Sequence, residues 1–420
     1  MRLSRRNLLV GGAAASLMAP RFARAATGAS ERRFIFVQAL GGWDVTQVFA
    51  PVFGSSGVEH QAGCEPAALG DLAWVDHVER PNVSRFFSRW ADQTALINGV
   101  YIASIAHPSA LRLSLTSSLD ATQADWATRI GAFSASDPVI PHFVVGGSYF
   151  AGRYGVHVGR GGTSGQLQAL ASGELLLQSD VSVRAPSVAR AAAVDSWLAA
   201  AASRATDRAR GAESRRVAEA WERALERSER LKLMADQLDF SGGPTLDEQL
   251  DVAIMALEQG VARCVTVAHP SRDSMMNYDS HAVNDQFQSP LFDSLFTSLD
   301  TLMDRLATTT SPSGASLAEE TVIVVLSEMS RSPTYNGSNG RDHWPCTSVM
   351  LLGSGVAGGR MYGAWDSGMY GQPVDLASGE PSESGTWLGP EHVGATLLAL
   401  ADVDPGDTGL TVGPIGAVLA

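Results

Sequence analysis

Lysine is almost missing from this 420-residue chain, and Lys232 is the single one. Arginine supplies the rest of the 31 basic side chains, a skew that reads as codon bias rather than function, against 44 acidic ones. The formal charge of −13 disfavours nucleic acid and anionic membrane as partners. An anionic substrate would therefore need a local positive centre, from a metal or a clustered arginine. Cysteine is scarce too. Cys64, Cys264 and Cys346 stand far apart with no C-x-x-C spacing, which excludes a disulfide scaffold and a zinc knuckle and leaves one long-range disulfide open. No apolar run past the first residues approaches the length of a membrane span, and no internal repeat is visible.

What is present begins with Ser4-Arg5-Arg6-Asn7-Leu8-Leu9, a short apolar run from Val10 to Ala19, and Ala23-Arg24-Ala25. A charged start, a short apolar stretch and an A-x-A site make a signal peptide rather than a span. Paired arginines before Asn-Leu-Leu make it a twin-arginine signal, with export of the folded chain to the periplasm or exterior by the twin-arginine translocase. Removing 1–25 takes five arginines and no acid, leaving 26 basic and 44 acidic side chains, a net −18. About 395 residues remain, ample for a core.

Along the chain, apolar strands alternate with amphipathic helices. Strands are predicted at Phe34–Leu40, Thr94–Val100, Val261–Ala268, Thr321–Leu326 and Thr347–Leu352. Helices are predicted near Val83–Asp92, after Ser109, from Ser187 to Phe240, from the Thr245-Leu246-Asp247-Glu248 capping box to Gln259, from Ser289-Pro290, and over Pro390–Ala401. Only short strands are expected between about 135 and 180. Such alternation implies an α/β fold with a mostly parallel central sheet and helices on both faces. We read a single domain over 30–420 with a helical insertion at about 187–240.

Three strand ends carry groups able to ligate a metal. They are Asp44 after Gly41-Gly42-Trp43, Asp279 and His281 in a polar loop, and Glu328 with Asp342-His343. In a doubly wound sheet such ends converge on one edge. Crowded carboxylates raise one another's pKa unless a cation neutralises them. Four carboxylates and two imidazoles suit Zn²⁺ or Mn²⁺, with Ca²⁺ also open, as one ion or two. Each residue alone also reads as a cap or turn residue. Glu328 and His343 are expected to share one ion across a fourteen-residue loop. His142, His157, His269 and His392 read as structural.

Taken together these stretches resemble the twin-arginine-exported bacterial family known as domain of unknown function 1501, related to the alkaline phosphatase and sulfatase superfamily. Its Gly-Gly-x-Asp appears as Gly41-Gly42-Trp43-Asp44, and its Trp-Asp-Thr-His as Tyr278-Asp279-Ser280-His281. Its Thr-Glu-Phe-Gly-Arg-Thr-Pro appears as Ser327-Glu328-Met329-Ser330-Arg331-Ser332-Pro333, and its Gly-Gly-Arg-Asp-His-Trp as Asn339-Gly340-Arg341-Asp342-His343-Trp344. The resemblance implies an alkaline-phosphatase-like fold and acids and histidines that bind one or two divalent ions.

The nucleophile departs from that pattern. Ser104-Ile105-Ala106-His107-Pro108-Ser109 resembles the sulfatase Cys-x-Pro-Ser-Arg run, with Ala106 at the cysteine position and Ala110 at that of the arginine. Ser104, Ser109 or a metal-bound water remain as candidates, His107 as a ligand, an acid/base or a helix-capping residue, and Arg331 or Arg341 as bidentate holders of an anion. The expected function is a metal-dependent hydrolase of phosphate, sulfate or related esters of a small molecule or glycan. The alternative is a non-catalytic secreted binding protein on the same fold.

Overall fold

The structure is a computed structural model that describes residues 31–161, 187–234, 238–240, 243–270 and 276–420. The signal read at 1–25 and part of the stretch of short strands lie outside these residues. The first half of the chain runs β1 (Arg33–Ala39), α1 (Val45–Val48), β2 (Glu65–Leu69), β3 (Leu72–Asp76), α2 (Pro81–Trp90), β4 (Thr94–Tyr101), α3 (His107–Thr116), α4 (Trp126–Ala132), β5 (His142–Val144) and β6 (Val158–Arg160). Two long helices follow, α5 (Val188–Arg208) and α6 (Ala212–Met234), where the helical insertion is read. Then come α7 (Leu246–Glu258), β7 (Cys264–His269), α8 (Asn284–Thr308), α9 (Leu317–Glu320) and β8 (Thr321–Leu326). The chain closes with β9 (Ser330–Arg331), β10 (His343–Trp344), β11 (Cys346–Gly353), β12 (Arg360–Tyr362) and α10 (Pro390–Leu400).

Eight strands form one sheet in the order β12-β4-β11-β8-β1-β7-β5-β6. β1 sits near the middle, parallel to both β7 and β8. Its near-continuous apolar run follows from that place, because both faces are covered. Ile35 and Val37 point into one core with Phe86 of α2, Leu250 of α7 and Phe292 of α8. Phe34 and Phe36 point into the other, with Leu115 of α3, Trp126 of α4 and Leu397 of α10. The fold class is thus the α/β one expected, a mostly parallel sheet with helices on both faces.

Among the described residues the sheet has one antiparallel member, and one local expectation, the start of α8, needs correction. β11 runs antiparallel to both β4 and β8. Since β4 and β8 each oppose β11, they point the same way, so β1, β4, β7 and β8 all end on one edge and β11 begins there. Helix α8 starts before Ser289, with Pro290 inside it. The earlier start is fixed from outside the helix: Val283 and Asn284 donate their N–H groups to Ser338 and Asn339 carbonyls, 3.1 and 2.8 Å away. The capping box at Thr245 is present, with Thr245 capping Glu248 and Glu248 reaching back. The three cysteines are free.

One buried ion pair ties this edge together. Arg341 Nε lies 3.0 Å from Asp44 Oδ2, and both side chains are wholly buried. Asp44 also caps α1 by accepting from Thr46 N at 3.0 Å. Removing one partner of a buried pair leaves an uncompensated charge. Arg341→Met is therefore expected to lower stability by roughly 3–5 kcal/mol, read as a drop in the urea unfolding midpoint at unchanged slope. A loss within the error of the midpoint would show that the pair does not hold the edge.

Candidate metal centre

The site begins with backbone conformation. Gly41 and Gly42 follow β1 at φ +111° and +79°, and a Cβ on Gly41 would lie 2.7 Å from Asp279 N. Only glycine turns the chain there and lets the 278–279 backbone pass so close. The Gly41 N–H then donates to Glu328 Oε1, just past β8, at 2.9 Å. From the other side the 332–342 loop folds onto the 280–284 segment. Arg341 N donates to Ser280 O at 3.0 Å, and a Cβ on Gly340 would lie 2.0 Å from the His281 carbonyl. β10 pairs antiparallel with β9, placing His343 opposite Arg331.

These contacts bring three imidazoles and the Asp279 carboxylate together at the strand ends. His281 Nε2 lies 3.0 Å from His343 Nε2 and 3.2 Å from Asp279 Oδ1, and His343 Nε2 lies 3.4 Å from the same oxygen. Two ring nitrogens and a carboxylate oxygen so spaced match the edges of a tetrahedron about Zn²⁺, about 3.3 Å for bonds of 2.0–2.1 Å. His107, at the start of α3, approaches from the fourth side: its Nε2 is 3.4 Å from Asp279 Oδ2. That nitrogen is buried and has no well-directed hydrogen-bond partner. His107, Asp279 and His343 each offer a ligand atom within 4.8 Å of the others. The residues present fit a divalent ion.

Behind two of the imidazoles stand carboxylates. Glu328 Oε1 meets His107 Nδ1 at 2.8 Å, and Asp342 Oδ1 meets His281 Nδ1 at 3.0 Å. A carboxylate at Nδ1 fixes the tautomer and aims Nε2 at the ion. Asp279 is held ionised, well below the usual carboxylate range, by its hydrogen bonds to His107 and Arg331 against the effect of burial. Burial, then the charges of Arg331 and His107, lowers the pKa of His343 and keeps its ring neutral.

Several expected roles shift. Asp44 is not at the centre. Its oxygens bind Thr46, Asn284 and Arg341, with Asn284 Nδ2 at 2.8 Å. Glu328 stands behind His107 rather than sharing an ion with His343, and Asp342 stands behind His281. Arg331 and Arg341 cannot clamp an anion, because both guanidinium groups are buried and already engaged. Arg331 donates to Gly42 O at 2.8 Å, Arg341 O at 3.2 Å, Asp279 Oδ1 at 2.7 Å and also Gly41 O. Arg341 donates to Ser332 O at 2.7 Å and to Glu59 O, and stacks over Tyr335. Ser104 Oγ accepts from Ala106 N at 3.2 Å. Neither its hydroxyl nor that of Ser109 bonds to the cluster. Sequence reasoning left His107 open as a ligand, an acid/base or a helix-capping residue, and its place beside Asp279 favours the ligand. The signal for the stronger reading was its place at a helix start following a strand that ends on this edge.

An α/β protein with a histidine-rich candidate metal centre at the C-terminal edge of its sheet is thereby defined. Residues 88–377 match the family described as "Protein of unknown function (DUF1501)", and the chain belongs to it. No curated protein matches the chain. Among solved structures it is similar to the PsFucS1 sulfatase from Pseudoalteromonas sp. at 11% identity, covering 93% of this chain and 72% of that one, TM-score 0.40. It is similar to the lipoteichoic acid synthase LtaP from Listeria monocytogenes at 9% identity, covering 92% and 76%, TM-score 0.39. A protein in the alkaline phosphatase superfamily from Vibrio parahaemolyticus shows 8% identity, covering 90% and 68%, TM-score 0.38.

Without an ion, His107 should keep its proton. Its hydrogen bonds to Asp279 and then Glu328 raise its pKa from 6.5 to about 9. A raised pKa stabilises the folded metal-free protein below pH 6.5, and that stability is lost as pH climbs through about 9. Ion binding must expel the same proton. Zn²⁺ affinity should therefore rise with pH up to about 9 and level off above it, with proton release seen by calorimetry in two buffers. A flat profile, or one unchanged in His107→Gln, would remove His107 from the ligand set.

Proposed function

We propose that this chain is an exported, metal-dependent hydrolase of phosphate, sulfate or related esters. The observation that carries the reading is the set of separations of 3.0, 3.2 and 3.4 Å among His281, His343 and Asp279, with His107 Nε2 buried 3.4 Å from Asp279 Oδ2 beside them. His107, Asp279, His281 and His343 would hold the ion. A divalent ion supplies Lewis-acid polarisation of an ester oxygen and a more acidic water.

The protein's own groups then have separable tasks. Arg331 pins Asp279 and keeps it ionised. Glu328 and Asp342 hold the Nδ1 protons of His107 and His281, so that each Nε2 faces the centre as a lone pair. Among the described residues no serine, threonine or cysteine side chain bonds to the cluster, which favours water over Ser104 or Ser109 as the attacking group. Among the described residues both arginines at the edge, Arg331 and Arg341, are already engaged, and the positive charge that would bind an anion would come from the ion. Zn²⁺ fits the donor set of three imidazoles and a carboxylate better than Ca²⁺, which takes oxygen ligands.

One observation favours a second reading, a secreted binding protein without catalysis. Ala106 occupies the N-cap of α3 and brings no nucleophile. Protein purified without chelators and assayed on aryl phosphates, phosphonates and sulfates separates the two. A hydrolase should carry about one ion per chain or more and lose at least about 100-fold in kcat/KM in Asp279→Asn. Metal uptake without turnover of any ester would establish the binding protein instead.

Export by the twin-arginine route to periplasm or exterior belongs to the same proposal and rests on Arg5-Arg6 and Ala23-Arg24-Ala25. Replacing Arg5 and Arg6 by lysine should hold the full chain in the cytoplasm, as read by cell fractionation. Unchanged export would refute that route.

A further inference from the structure

A second feature opens beside the metal centre. A cleft of about 630 Å³ lies between the end of β4, the 366–371 loop and the start of α10. That volume falls in the range of small-molecule sites, roughly 300–1,000 Å³. Tyr101, Tyr370 and Trp387 line it, and these rings are 49%, 43% and 62% exposed. Large rings left half in water on three separate segments, meeting in one concavity, are uncommon without a ligand to cover them.

The charges in the cleft are of one sign. Asp366 and Glu391 line it, and among the described residues no lysine, arginine or histidine does. Asp366 uses Oδ1 to accept from Gly368 N and Tyr370 N, at 2.8 and 2.9 Å, which fixes the loop bearing Tyr370. Among the described residues its Oδ2 has no donor. Glu391 has only a 3.6 Å approach to His392 Nδ1. Two acceptor-rich carboxylates repel an anion. A purely apolar ligand would strip them of water without replacing their hydrogen bonds. A compact cation gains little from rings this exposed, about 0.5–1 kcal/mol. A ring compound whose C–H faces lie on aromatic faces, and whose hydroxyl groups donate to carboxylates, meets every feature at once.

The cleft shares its chain segments with the candidate metal centre. Ala103 lines it, and four residues later the same loop delivers His107 to the cluster. Trp344 follows His343, packs its ring 4.7 Å from that of Tyr370, and donates from Nε1 to Met369 O at 2.7 Å.

We infer that this cleft binds a neutral sugar unit, the part of the substrate that carries the ester. The direction of that ester rests on the hydrolase reading, whereas the sugar site itself does not. The sugar ring lies over Trp387 and Tyr370, its hydroxyl groups reach Asp366 and Glu391, and its ester-bearing end faces His107 and His343.

The test uses the full exported chain, metal-stripped and zinc-loaded, titrated with neutral tetrasaccharides of glucose, xylose, mannose and galactose by saturation-transfer NMR and tryptophan fluorescence. Choline and inorganic sulfate are the comparison probes. At least one tetrasaccharide should bind saturably in both forms, with Kd on the order of millimolar or tighter. Trp387→Ala and Tyr370→Ala should each weaken it about tenfold or more while leaving zinc uptake unchanged. The proposal is overturned by no binding from any of the four, by binding indifferent to Trp387→Ala, or by choline or sulfate binding in their place. If esters are not turned over but Trp387-dependent sugar binding persists, the hydrolase reading fails and the cleft stands. If aryl esters are cleaved with no sugar bound, the cleft proposal fails alone.

Discussion

The edge of the sheet is organised around one buried cation. Arg331 has no access to water, so each guanidinium N–H must find a protein acceptor or leave a costly unpaired donor. It finds them on three separate segments: the carbonyls of Gly41 and Gly42 after β1, the carbonyl of Arg341 in the 332–342 loop, and the carboxylate of Asp279. Satisfying one side chain therefore draws together the loops that carry the ligand atoms. Asp279 gains the most, because its tie to Arg331 helps hold it as an anion facing three imidazoles.

Around that anchor the remaining charges divide into those that aim and those that bind. Glu328 and Asp342 each sit at the Nδ1 of a histidine, 2.8 and 3.0 Å away, leaving Nε2 turned inward. Asp44 and Arg341 neutralise each other farther back and lock the 332–342 loop to the end of β1. The consequence is a compact donor set of three imidazoles and a carboxylate, fed by carboxylates and arginines that do not themselves face the open side. Substitutions behind the centre should therefore act through the orientation of histidines, not through lost ligands.

The same topology links the aromatic cleft to that donor set through shared chain segments. β4 ends on this edge, β11 starts there, and their pairing joins Tyr101 to Cys346. Each of these strands passes directly into a loop that carries a histidine of the centre: β4 leads forward to His107, and β11 leads back to His343. The cleft lined by Tyr101 and Tyr370 is thus tied to the candidate metal centre through the chain segments the two share.

The sequence alone determined the elements and their class. Apolar runs such as Val322–Leu326 and the Thr245 capping box are local signals, set by burial on both faces and by backbone hydrogen bonding, and they read correctly in one dimension. The gathering of Asp279, His281, Glu328, Asp342 and His343 at one edge was also legible, because parallel strands place their ends together. What each residue does there was not. Whether a carboxylate binds an ion or stands behind a histidine depends on which oxygen meets which ring nitrogen across 221 residues, as for Glu328 and His107, and spacing along a chain carries no such angle. The same holds for Arg331 and Arg341, which read as anion clamps by residue type and became internal struts once burial engaged their donors. Helix α8 began before Pro290 because carbonyls from the distant 338–339 turn took up its first N–H groups, a partner that only the folded chain provides.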